Sequence, residues 1–548
     1  MEKASIILRG NAIFDGTGNK PFKGSIVIFE NKIKTVLKNN KADRYIGPDT
    51  KVLDYEDELI MPGFNDAHTH FTQGSFLEDK DFALNVLPAK SKKEAILMTR
   101  KFAEAHPQNE WVYGYMVDDQ GWDDQTVLTK ADIDKEIPDR PVVLQMADLH
   151  TIVVNEAAIQ KSELIKRKDQ YKDGMIQTDE NGELTGRLFD GACFDFLDLI
   201  FRASDEQYER IYERFFEKIA AYGITSLSLM SPYTVHDDPV PYLKSLEGKG
   251  KLSARVLLYP NINEYKKERF QTLKLQPMDE KIRIQGLKQL LDGVTTVHTA
   301  YLLDPYENGP TTCGSPSIDL KQFKTQALEA IKEGIALRIH TIGDRAVREM
   351  LDIFEEGIKR YGKRDIRHVQ EHLETVHPDD MKRFAELGVS CCIQPWHMLF
   401  DLEGGDMGNG LYGYKEAAVG KERAKHSWPI RELLDAGAVV SFGSDYPVVG
   451  IDPFKEIYAA ITRQTFDGKP EGGWFKEQRI TIAEALKAYT WGSAYAEGCE
   501  QEFGIIKEGM LADVIVLDRN LFKIKPKEIL DTKVLVTIMD GEIVYQRK

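Results

Sequence analysis

"IALRIHTIGDRAVREMLDIFEEGIKRYG", residues 335–362, reads as a short apolar strand running into one amphipathic helix that stops at a glycine. Apolar residues recur at helical spacing after Gly343, and glycine suits a helix C-terminus because it enters the left-handed region without a Cβ penalty. Seven other segments carry a strand of this kind: 64–68, GITSLSLM (223–230), ARVLLYP (254–260), IRIQGLKQLL (282–291), RHVQEHLE (367–374), VSCCIQPW (389–396) and VVSFGSDYP (439–447). Helical stretches such as SDEQYERIYERFFEKIAAYG (204–223), DLKQFKTQALEAIKEG (319–334) and HPDDMKRFAELG (377–388) precede many of them. Strands alternating with helices indicate parallel βα units, and eight such units predict an α/β fold, a distorted (β/α)8 TIM barrel.

Two departures from a plain barrel are visible. About 150 residues separate the first strand from the second, too many for a βα loop. The strand and turn character of WVYGYMVDDQGWDD, RPVVLQMADLHTIVV and GMIQTDENGELTGRL predicts an inserted subdomain that packs over the barrel mouth as a lid. Both chain ends alternate in period two, with Asp540-Gly541 as a two-residue hairpin signal. Neither end buries a stable core alone, so the two are expected to join in one small β-sandwich. The expected organisation is sandwich (1–60), first barrel strand (61–74), inserted lid or substrate subdomain (75–203), remaining barrel (204–500) and sandwich again (501–548).

Hydrophobic content of 42% and charged content of 29% are those of an ordinary globular protein. The net charge of −16, spread along the chain, argues against nucleic-acid and anionic-membrane partners and leaves small molecules as the expected ligands. The first residues lack a signal-peptide pattern and no run of about 18 apolar residues occurs, which predicts a cytoplasmic protein. Five cysteines without a CxxC pair indicate neither a disulfide framework nor a thiolate zinc site.

Metal-ligating groups gather at the strand ends. His68 and His70, in MPGFNDAHTHF, share one face of an extended segment, because side chains two apart in a strand point the same way. His340 ends IALRIH, His372 lies in VQEHLE and Asp445 closes VVSFGSD, each near the C-terminal end of a different strand, the catalytic face of a barrel. A lone histidine at a strand end is more often a packing residue, but five such groups in this order point to a divalent ion with imidazole and carboxylate ligands. Lys288, in GLKQLLDG, is by itself an ordinary strand-end lysine, because an ammonium repels a cation. It becomes a ligand only if carbon dioxide converts its amine to an anionic carbamate.

Together MPGFNDAHTHF, LKQLLDG, IHTIGDRA, QEHLETVHPDDMKRFAELGVSCCIQPWH, SFGSDYPV and GIIKEGMLADVIVLD resemble the amidohydrolase superfamily, more narrowly the amidohydrolase-3 group that includes N-substituted formamide deformylases. The resemblance spans nearly the whole chain. It implies that His68, His70, His340, His372 and Asp445 are metal-binding and catalytic positions, and that Lys288 is the residue carboxylated in binuclear members. It also implies hydrolysis of a small-molecule, non-peptide amide with one or two ions, zinc foremost, with Asp445 moving the proton. A cyclic amide, a deaminated heterocycle or a phosphotriester would use similar ligands, and a non-catalytic scaffold is the reading from another class. A homodimer through exposed barrel-helix faces is compatible with the sequence.

Further positions match with less support. Asp344 is expected to be the N-cap of the helix that follows, with Arg345 undecided between structure and substrate. Trp122 and His150 fall in insertion motifs that line substrate pockets in similar proteins, although Leu149 stands where a glycine commonly precedes the histidine. His298 and His397 are candidates to face the pocket, His397 the better one because it ends a strand.

Overall fold

The computed structural model describes residues 3–38, 41–119, 122, 126–147, 151–167, 176–230, 238–264, 280–399 and 410–548. All eight strand segments are extended, and all pair in parallel. They form two sheets. Four strands run in the order Ile282–Ile284, Arg255–Tyr259, Ile224–Met230, Phe64–Thr69, and five in the order Gly286–Leu290, Ala336–Thr341, Val369–His372, Ser390–Ile393, Val440–Phe442. The expected single strand 282–291 is therefore divided at Gln285, whose backbone N–H turns to Leu258 O at 3.0 Å and whose side chain donates to Glu497 O at 2.8 Å. Isolated parallel bridges join Asn261 to Lys288 and Thr69 to Tyr446, one at each seam between the sheets.

The opening unit shows how sequence becomes packing. The helix Asp344–Tyr361 buries Ala346, Val347, Met350, Leu351, Ile353, Phe354 and Gly357, one apolar face at helical spacing, and ends at Gly362 with φ 81°. Each large side chain buried on that face contributes about 1.5–3 kcal/mol. The expected cap is corrected: Gly343 holds the N-cap position and Asp344 is the first helical residue, its Oδ1 accepting from Leu303 N at 2.8 Å. A Cβ at 343 would lie 2.1 Å from Tyr301 O, so only glycine lets that loop cross the strand end.

The chain ends meet in one hydrogen-bonded sheet of eight strands, in which Leu59–Pro62 pairs antiparallel with Val514–Leu517. The sheet branches at Ile6–Ile13, which pairs with Lys51–Tyr55 over residues 6–10 and with Leu59–Pro62 at Ile13. Period-two alternation sends Ile6, Leu8, Ile26 and Ile28 to a core shared with Val514, Val516 and Val536, and Ile7 and Val27 to a second core with Ala4 and Ala42. At the hairpin, Asp540 (φ 55°) and Gly541 (φ 78°) are both left-handed, the geometry a two-residue turn requires.

Between the first and second parallel strands lies a six-stranded mixed sheet, from Ala83–Asn85 to Leu184–Phe189. Its alternation divides two cores: Val143, Ile152 and Val154 join the main core, whereas Val142, Leu144 and Val153 face a separate one. The five cysteines are free thiols. Among the described residues no helix is long and apolar enough to cross a membrane.

Candidate metal centre

The C-terminal ends of strands from both sheets converge on Asp445. Its Oδ1 lies 3.3 Å from His68 Nε2 and 3.2 Å from His70 Nε2; its Oδ2 lies 3.8 Å from His397 Nε2 and 3.9 Å from His372 Nδ1. The ring centroids of His68 and His372 are 5.0 Å apart and those of His340 and His372 4.4 Å. Two sets of donor atoms, His68/His70/Asp445 and His372/His397/Asp445, each fall within 4.8 Å of one another.

Local backbone features aim these groups. In the first strand Leu227 pairs with Asp66 and Leu229 with Thr69, three residues against two, a bulge that re-aims His68. His372 and Asp445 have φ of 73° and 56°, a region that costs a non-glycine residue on the order of 1–3 kcal/mol. Hydrogen bonds from Leu373 N to Thr341 O (3.2 Å) and from Asp445 N to His68 O (2.7 Å) hold them there. Gly443 permits the second contact, since a Cβ there would lie 2.5 Å from His68 N.

Burial sets the charges. It pushes the His70, His372 and His397 imidazoles down, His372 well down, and His340 to about 3, with Lys288 adding to the last effect. Burial would raise the Asp445 carboxyl, but a proton on His68 Nε2, with His70 behind it, outweighs burial and holds the carboxyl well below the usual carboxylate range; without that proton the place is left for another cation. The Lys288 amine is pushed down by burial, offset in part by Glu371 and Asp445. His340 Nε2 sits 3.2 Å from Gly293 O, and a carbonyl only accepts, so this nitrogen carries the proton and Nδ1 keeps its lone pair.

These residues fit a cation. His68 Nδ1 donates to Glu371 Oε2 at 2.7 Å, so in the neutral ring Nε2 presents a lone pair to Asp445 Oδ1, acceptor against acceptor. His68 Nε2, His372 Nδ1, His397 Nε2, Asp445 Oδ1 and Lys288 Nζ are all buried, without a hydrogen-bond partner among the described residues. Buried polar atoms in that state are costly unless an ion joins them.

The family model for the amidohydrolase family matches residues 51–545. The chain belongs to the amidohydrolase family. This amidohydrolase is 27% identical to putative amidohydrolase YtcJ of Bacillus subtilis, over 92% of each chain, and 25% identical to the N-substituted formamide deformylase of Arthrobacter pascens, over 95% of each. Its fold is similar to that of an uncharacterized metal-dependent hydrolase from Pyrococcus horikoshii, with TM-score 0.75 at 23% identity over 95% of this chain and 99% of that one.

The remaining candidates of the amidohydrolase separate by position. His397, in the short helix Pro395–Leu399, belongs to the cluster. His298 sits outside it, its Nε2 2.9 Å from Asn308 Oδ1 and its ring against Tyr306. Arg345 lies part-exposed on its helix, stacked 4.8 Å over Tyr301. Trp122 is 2% exposed in the insertion's own core, and His150 lies outside the described residues. Two carboxylates beside the cluster were not read from sequence. Glu371 contacts His68 although its neighbour His372 does so too; regular alternation would turn one of them away, and the left-handed His372 breaks that alternation. Asp292, in LLDG, is raised to about 7 by burial and accepts from the backbone N–H groups of Ile342, Gly343 and Tyr301, fixing the loops around His340.

Proposed function

We propose that this amidohydrolase is a metal-dependent hydrolase of a small, non-peptide amide, an N-substituted formamide or another N-acyl amine, yielding an acid and an amine. The carrying observation is the convergence of four imidazole nitrogens on one buried carboxylate, with His68 Nε2 and Asp445 Oδ1 facing each other as acceptors. His68, His70, His340, His372 and Asp445 would hold one or two divalent ions, zinc foremost. Lys288 joins them as a carbamate, a reading supported by its buried Nζ, which has no partner among the described residues. When bound, such an ion supplies Lewis acidity to a water and to the substrate carbonyl.

The chain's own groups do the rest. Asp445, ionised and buried, holds the attacking water, takes its proton at a carboxylate oxygen, and returns it to the nitrogen as the C–N bond breaks. His397 Nε2, 3.8 Å from Asp445 Oδ2, would stand with His372 beside the ion. The two parallel sheets, bridged at both seams, read as one distorted (β/α)8 barrel, the mixed sheet as its lid.

The test is elemental analysis of untagged protein purified without chelator, followed by an amine-release screen beginning with N-formyl amines. Divalent metal together with released amine is expected. Release of ammonia from a heterocycle, or of a ring-opened acid without free amine, would replace the linear amide with those substrates. Absence of metal after reloading with zinc or manganese in bicarbonate would sink the hydrolase reading.

A further inference from the structure

Beneath the ligand cluster lies a buried line of charges that the proposed reaction does not use. Glu371 accepts from His68 Nδ1 through Oε2 (2.7 Å) and from Arg338 Nε through Oε1 (2.6 Å), and all three side chains are 0% exposed. Arg338 continues to Ser228 Oγ at 3.2 Å, Ser228 donates to Glu497 Oε1 at 2.6 Å, and Asn65 Nδ2 donates to Glu497 Oε2 at 2.6 Å. The guanidinium also stacks 4.8 Å over Tyr259. Three strands of one parallel sheet and two of the other thus join with Glu497 in one network, which ends on the imidazole nitrogen opposite the one aimed at Asp445.

We infer that Arg338 and Glu371 are a positioning pair: they fix His68 as the Nδ1–H tautomer, aim its Nε2 lone pair at the metal position, and so set how tightly the site holds its ion. This rests on the proposed metal-dependent reading. A carboxylate that accepts the far N–H of a ligating histidine fixes its tautomer and raises its basicity. Arg338 keeps Glu371 an acceptor with no proton of its own to offer. His68, Glu371 and Cys392 also bring donor atoms within 4.8 Å, as a second cation site would. The guanidinium on the other Glu371 oxygen rules against that use, because it places a fixed positive charge beside the cation. A buried ion pair is weak evidence for stability, since apolar residues of similar volume often serve as well. Its place directly behind a ligand gives it a different purpose.

The experiment is chelator competition for zinc on full-length wild type, E371Q and R338M/E371L, with H68A/H70A as control and the melting of each apo protein alongside. E371Q keeps an acceptor and loses the charge; R338M/E371L removes both charges together and spares the fold an unpaired ion. Zinc binding about 10–100-fold weaker in either folded variant is expected. A dissociation constant within threefold of wild type in a folded variant would overturn the inference, whereas a purely structural pair would move only the apo melting. An independent readout uses zinc-loaded wild type: a protected, downfield imidazole N–H resonance that disappears in H68A is expected, and its absence also overturns the assignment. If H68A/H70A binds zinc like wild type, the metal site itself is misassigned; if it loses zinc while the Glu371 variants keep it, only the positioning pair falls.

Discussion

Asp445 meets two demands at one position. Its carboxylate faces four imidazoles, and its backbone is held left-handed so that its N–H reaches His68 O. Asp445→Asn preserves size and polarity and removes the ability to take a proton. The variant should retain metal and lose about 10²–10⁴-fold in kcat; turnover within tenfold of wild type in metal-replete protein would remove Asp445 from proton transfer. Glu497 supplies a pH-dependent counterpart. Burial pushes its carboxyl up to about 7 despite bonds from Asn65 and Ser228. Since the folded value lies above the unfolded one, the native state binds more protons between about pH 4.5 and 7, and stability falls as pH rises through that window, by on the order of 3 kcal/mol. Melting of E497Q should therefore gain on wild type between pH 5 and pH 8, and parallel curves would contradict the assignment.

At the scale of elements, the helix Asp344–Tyr361 packs its apolar face inward, and Phe354, 1% exposed, stacks on His368 at 4.6 Å. Phe354→Ala should cost about 3–5 kcal/mol through lost burial and the cavity left behind. Denaturant unfolding at constant slope measures this, and a loss below 1 kcal/mol would mean the helix packs elsewhere. The same unit shows what periodicity conveys. The 3.6-residue pattern marks which face is buried, so the helix and its terminal glycine were legible. The cap was not, because a loop passing within 2.1 Å of a Cβ at 343 decides it, and that loop comes from residue 301. Arg345 likewise lies part-exposed over Tyr301, a placement that a motif does not encode.

At the scale of the whole molecule, the chain ends are one structure. Arg255, 0% exposed, is held by Asp513 at 2.9 Å and by Asp540 at 2.8 Å, tying the C-terminal hairpin to a parallel strand. Removing residues 514–548 strips Val514, Val516 and Val536 from the shared core and bares the Leu59–Pro62 edge. No soluble folded protein is expected from that truncation; a soluble product melting with wild type would show that the N-terminal strands stand alone.

The sequence by itself determined the parallel strands, the joining of the two chain ends, and the residue types gathered at the strand ends. These follow from period, turn chemistry and ligand chemistry, all of which are local. Tertiary structure alone decided that strand 282–291 breaks at Gln285, that Glu371 and His372 both address His68, that Asp292 braces His340, and that Trp122 is core. The physical reason is common to these cases. Each depends on contacts with residues distant in the chain, and the Glu371–His372 case also on a left-handed backbone at His372, and alternation along a strand carries no record of them.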